Sequence, residues 1–226
     1  MNVISASKRS GLALLLFAVV YAPAFAAVAW LHRQHLWCAS GADRHCPSDR
    51  IAVPVIIAVS AALAALSIML LARGKKGIAE FGVARSRPPY VVAAVLSGLL
   101  AGGAVAYFAA KYPAPSPLDL SKLPLGLTVA YFVFAAPFQE ELIFRGLLQT
   151  TVARFAPASG GFWAVHYPVL FVALLFGAVH LGSGPVVAIG GLLLGLIAGE
   201  LRRMSGSLLP AILVHSLFNA MSLWPT

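Results

Sequence analysis

Two adjacent carboxylates and a guanidinium, Glu140, Glu141 and Arg145, stand in the stretch FQEELIFRG, with apolar residues on both sides. An ionisable group at the centre of a bilayer costs roughly 3 kcal/mol or more. Such a cluster therefore marks a helix end in water, a structural ion pair or a reaction centre. Spacing separates the three side chains. Residues four apart share a helix face, so Glu141 and Arg145 can pair. Glu140 is rotated by about 100° from Glu141 on a helix of 3.6 residues per turn and can point elsewhere. The four-residue interval recurs twice downstream. Phe176 and His180 share one face, and His215 and Asn219 present an imidazole and an amide together. Glutamate and histidine at membrane depth build proton relays as well as active sites. Gln139 and His166 are lesser members of the polar set. His166, near a helix start and outside the repeated spacing, reads as a histidine that hydrogen-bonds a carbonyl.

The elements that must position these groups are membrane helices. Of 226 residues, 60% are hydrophobic and 10% charged, whereas a soluble domain is about 45–50% apolar and about 25% charged. Seven apolar segments, near 11–31, 51–72, 90–110, 125–148, 164–181, 185–201 and 207–224, approach the roughly 20 residues that cross a hydrocarbon core. The expected fold is all-α, a polytopic membrane helix bundle of about seven transmembrane helices. It forms a single membrane domain, with residues 1–89 accessory and the polar set in 90–226. Ala24-Phe25-Ala26 mimics a signal-peptidase site, but the apolar run continues through Trp30, which indicates a retained helix.

The net charge of +9 follows the positive-inside pattern. Lys8 and Arg9, then Arg73, Lys75, Lys76, Arg85 and Arg87, then Arg154, then Arg202 and Arg203 fall in alternate connections. This puts the N-terminus in the cytoplasm and the C-terminus outside. No aromatic-studded basic patch accompanies the charge, so membrane lipid is the expected partner and nucleic acid is not. Cys38 and Cys46 share a polar loop with His32, His35 and His45. The loop would face outside, which permits a disulfide. A metal site there is conceivable, but a solvated loop is the simpler reading.

Helix length sets levels along the bundle. At 1.5 Å per residue, Glu140 and His180 each rise about 23 Å from the turn near 156–162, so they can be neighbours. By the same measure His215 rises only about 12 Å from the turn at 205–207. Tilt and a break at Gly182-Ser183-Gly184-Pro185 would have to absorb the difference. Pro137 is expected to kink the helix before the carboxylates. Gly191, Gly195 and Gly199 mark a face for close helix packing and no chemistry.

Glu140-Glu141-Leu-Ile-Phe-Arg145 resembles the EExxxR motif of the CAAX prenyl protease and bacteriocin-processing family, known as CPBP or ABI. Phe176-Gly-Ala-Val-His180 resembles its FxxxH motif, and His215-Ser-Leu-Phe-Asn219 its HxxxN motif. All three stand in the family's order on successive segments, over roughly residues 125–224. The resemblance implies an intramembrane endopeptidase, type II CAAX-like, in which 90–226 is the protease core. It would hydrolyse peptide bonds of a membrane-associated protein or peptide, from the plasma membrane (the inner membrane in a bacterium). Glu140 would be the general base, with His180 holding or deprotonating the water, and His215 and Asn219 would donate to the oxyanion. Glu141, Arg145 and Phe176 would support them. A divalent metal such as zinc would fall to Glu140, His180 and His215. With no HExxH present, and with Asn219 a poor zinc ligand, a metal-free mechanism fits at least as well. A non-catalytic scaffold relative and a proton-coupled transporter are the competing readings.

Overall fold

A computed structural model describes residues 6–33, 48–72, 77–112, 124–154 and 166–223. Cys38, Cys46, His35 and His45, the turn near 156–162, and Arg73, Lys75 and Lys76 lie outside these. The expectations placed on them are therefore not addressed.

The described residues form helices and turns and no strand. In chain order the apolar helices are α1 (Ala6–Arg33), α2 (Ser48–Leu71), α3 (Pro88–Lys111), α4 (Leu125–Arg154), α5 (Tyr167–Val179), α6 (Pro185–Ser205) and α7 (Leu209–Ser222). A 3₁₀ turn, Gly77–Phe81, lies between α2 and α3. The seven expected segments all appear, yet only five are long and apolar enough to cross a membrane. Helix α5 has 13 residues and α7 has 14. They measure about 20 Å and 21 Å at 1.5 Å per residue, short of a hydrocarbon core of about 30 Å. Prolines cut them. Pro168 and Pro210 stand in the first turns, where a missing N–H is harmless. Gly184, at φ 99°, and Pro185 separate α5 from α6. Gly206, at φ 70°, ends α6 with a left-handed residue that only glycine adopts without strain.

Small residues bring the helices together. Gly191, Gly195 and Gly199 of α6 lie against Gly177, Ala173 and Val169 of α5, and a Cβ at Gly195 would come within 2.8 Å of the Ala173 Cα. The packing expected for these glycines is present. A second pair does the same for α3. Cβ atoms at Gly98 and Gly102 would meet the Val214 carbonyl and the Phe218 Cα of α7, the latter at 2.7 Å. Phe144, Leu147, Phe176, Leu194 and Phe218 belong to the buried core between these helices.

One end of the bundle is tied by polar contacts. Arg154 donates from Nε and Nη2 to the Glu80 carboxylate at 2.9 and 2.8 Å. Arg202 Nη2 donates to the Glu80 carbonyl at 2.7 Å. The Ser207 hydroxyl donates to the Ala84 carbonyl at 2.6 Å, and the Leu208 N–H to the Gly82 carbonyl at 2.9 Å. Alternate connections of the chain thus gather at one end, as the charge pattern requires of loops on one side.

Candidate active site

The site is built on an irregular α4. Its winding widens to π over Val129–Ala135 and again over Leu142–Gln149. In the first stretch the Ala136 N–H bonds back five residues to the Tyr131 carbonyl. The same register would give the Phe132 carbonyl to residue 137, which is proline and has no N–H. Asn219 Nδ2 donates to that carbonyl at 2.9 Å. The role of Pro137 is therefore to free an acceptor that α7 then occupies.

One turn further, the carboxylates diverge as the 3.6-residue period predicts. Glu141 and Arg145 are wholly buried, and Glu141 Oε1 accepts from Arg145 Nη1 at 2.8 Å. The same oxygen accepts from His215 Nδ1 at 2.8 Å. Glu140 keeps 22% of its side chain exposed, and its Oε2 lies 3.7 Å from His215 Nε2. The two carboxylates thus meet opposite nitrogens of one imidazole. An ionised carboxylate only accepts, so Nδ1 of His215 carries a hydrogen. Among the described residues Glu140 makes no hydrogen bond, which leaves its oxygens available.

Phe176 is the hub of the cluster. Its ring lies 4.6 Å from the Arg145 guanidinium carbon, a cation–π distance. The rings of Phe144, His180 and His215 have centroids 4.8, 4.7 and 5.6 Å from it. His180 stands just past the last turn of α5 (φ −93°, ψ 0°) rather than within a helix. Its Nδ1 donates to the Phe176 carbonyl at 2.7 Å, since a carbonyl can only accept. Nε2 is left as an acceptor in the neutral ring. Gly191 seats this imidazole, because a Cβ there would stand 3.4 Å from Nδ1. That adds a duty to a glycine expected only to pack helices. His166 lies at the start of α5 with its side chain exposed. Among the described residues it makes no hydrogen bond to a carbonyl, and residues 155–165, which precede it, lie outside these.

The level of His215 differs from the count along α7. Ser207 is fully buried and Leu208 is 6% exposed. Leu208 Cδ1 lies 3.4 Å from where a Cβ of Gly146 would be. Helix α7 therefore begins alongside α4 near Gly146, part-way along that helix, and its second turn reaches Glu141.

Gln139 carries the site to α1, donating from Nε2 to the Tyr21 hydroxyl at 3.0 Å. Tyr21 is packed on Phe17, Phe25 and Phe144. Sequence reasoning passed over it, although it is the one tyrosine of α1 and a buried hydroxyl needs a partner.

Among the described residues no three His, Cys, Asp or Glu side chains form a group able to hold a metal. Nδ1 of each imidazole is bonded to a protein acceptor, which leaves Nε2 of His180 and of His215 as the open nitrogens, an arrangement that orients a histidine toward a water or a metal alike. No step below passes through a metal.

Seven apolar helices around a buried Glu–Arg–His–Asn cluster define an integral membrane protein of the polytopic helical class. Residues 122–221 match the family model described as type II CAAX prenyl endopeptidase, Rce1-like, so this segment of the chain is similar to that family. The match runs from the approach to α4 into α7, so it contains the whole polar cluster except Tyr21. No curated protein and no solved structure matched the chain.

Proposed function

We propose that the chain is an intramembrane endopeptidase in which Glu140 is the general base, acting on a membrane-associated peptide or protein. The observation that carries this reading is the inequality of the two glutamates. Glu141 is wholly buried and its Oε1 is held by both Arg145 and His215, while Glu140 is partly accessible and faces the free edge of the same imidazole at 3.7 Å. Atoms at that separation can both reach one water placed off their line, at a hydrogen-bond length of about 2.8 Å.

In the proposed reaction the water oxygen bonds to the peptide carbonyl carbon and Glu140 Oε2 takes its proton. His180 Nε2 can accept a second hydrogen bond from that water. The carbonyl electron pair moves onto oxygen. Asn219 Nδ2, with one hydrogen on the Phe132 carbonyl, has a second to offer the oxyanion. His215, when it carries its second proton, donates from Nε2 with Glu141 as the counter-charge behind it. Collapse of the intermediate breaks the C–N bond, and the amine leaves with the proton held by Glu140. Helices α1 to α3 act as accessory elements, with α1 touching the site through Tyr21. The basic connections face the cytoplasm, as does the N-terminus.

The test is a comparison of cleaved membrane-protein termini in cells carrying the wild-type chain, Glu140→Gln, His180→Ala or His215→Ala. New N-termini should appear with the wild type alone, while all four proteins insert at equal levels. Identical termini in all four would overturn the reading. Proton flux that is lost in Glu140→Gln, with no cleavage in any of them, would establish the transporter instead.

A further inference from the structure

A cavity of about 280 Å³ opens at the tied end of the bundle, apart from the free edge of His215. Its walls include Arg145, Arg154, Arg202 and Arg203, with Glu80 and Thr150. Three of these guanidinium groups have carboxylate partners: Arg145 with Glu141, Arg154 with Glu80 and Arg203 with Glu200. Arg202 differs. It is 8% exposed, and among the described residues it has no carboxylate. Its Nη2 donates to the neutral Glu80 carbonyl at 2.7 Å and lies 3.5 Å from the Thr150 hydroxyl, and its buried Nε has no partner.

The backbone is shaped around this group. Gly82 has φ 92°, and a Cβ there would stand 2.5 Å from Arg202 Nε. A buried cation without a counter-charge is strongly unfavourable, and removing one partner of such a pair has a large effect on stability. Here the missing partner has a place beside the cation. The charge of the walls selects an anion. Guanidinium groups present planar forks of N–H donors that match phosphate oxygens. A water takes a share of about 30 Å³, so the cavity has room for much more than one water or a bare monatomic ion. It also lies where α4 and α6 end, the level at which headgroups meet a membrane protein, and Arg203 at its mouth is 37% exposed.

We propose that this cavity binds the phosphate of an anionic phospholipid headgroup, with Arg202 as its buried counter-charge and Arg203 at the entrance. The experiment uses the full chain, purified in a neutral detergent and stripped of lipid. Short-chain phosphatidylglycerol, phosphatidylcholine of the same chain length, or inorganic phosphate is added back. Native mass spectrometry counts bound lipid and thermal unfolding reads its effect. Phosphatidylglycerol should bind with one saturable equivalent and raise the unfolding temperature, while phosphatidylcholine and inorganic phosphate do neither. Arg202→Gln and Arg203→Gln should each weaken phosphatidylglycerol binding about tenfold, the size of one lost charge-assisted contact. Arg203 is partly exposed, so its variant keeps the fold if that of Arg202 does not. An equal response to inorganic phosphate would overturn the lipid assignment and make the site one for the free anion. Equal binding of the two lipids, or undiminished binding by Arg203→Gln, would overturn the proposal.

Discussion

Glu141 Oε1 receives two hydrogen bonds in a place closed to water, one from a guanidinium and one from an imidazole. Neutralising it strands Arg145, whose Nε and Nη2 have no hydrogen-bond partner among the described residues. Glu141→Ala should therefore destabilise the protein by about 3–5 kcal/mol, the cost of leaving a buried charge unpaired, as read by unfolding in mixed micelles. Glu140→Gln should change stability by less than about 1 kcal/mol, because Glu140 is partly exposed and makes no hydrogen bond among the described residues, yet cleavage should disappear. A role confined to structure would give both variants the same balance of stability and activity. The division between the glutamates was legible in the sequence, because a four-residue interval and a 100° rotation are properties of one helix. Their meeting on a single imidazole was not, because it depends on how α7 sits against α4.

At the scale of elements, the least regular helix carries the most polar groups. The missing N–H of Pro137 and the amide of Asn219 form a complementary pair across two helices, the proline freeing the Phe132 carbonyl that the amide fills. Asn219→Ala should cost about 1–3 kcal/mol, the penalty for a buried acceptor left without a donor. The cost should shrink in a Pro137→Ala background, where a backbone N–H becomes available. Equal costs in the two backgrounds, measured as a double-mutant cycle, would break the link. Close approach of α3 to α7 gives a second test. Gly102→Val should lower both the unfolding temperature and the cleavage rate, since the Phe218 backbone occupies the space a side chain needs. The glycine repeat of α6 announced itself by its spacing. Gly98 and Gly102 have the same spacing, but lie on a segment read only as a membrane helix. Counting turns from a common level misplaced His215 because α7 starts beside Gly146, part-way along α4, and no sequence interval reports where along its neighbour a helix starts.

For the molecule as a whole, hydropathy gave the number of apolar helices correctly and overstated the length of two. The excess lies at the helix ends: α5 spans Tyr167–Val179 within the apolar run read as 164–181, and α7 spans Leu209–Ser222 within that read as 207–224. The tied end of the bundle yields a prediction about sidedness. In a Cys38→Ser, Cys46→Ser background, Arg85→Cys should react with an impermeant maleimide in inside-out vesicles and stay unlabelled in right-side-out ones. The opposite pattern would invert the orientation. The dependence of α4 on α7 also bears on the order of synthesis. Helix α4 leaves the ribosome before α7, with a charged pair and a bare carbonyl that α7 then completes. A nascent chain halted after Ser205 should therefore be held by insertion machinery or removed by membrane quality control. On this view α7 acts as the signal that the site is assembled.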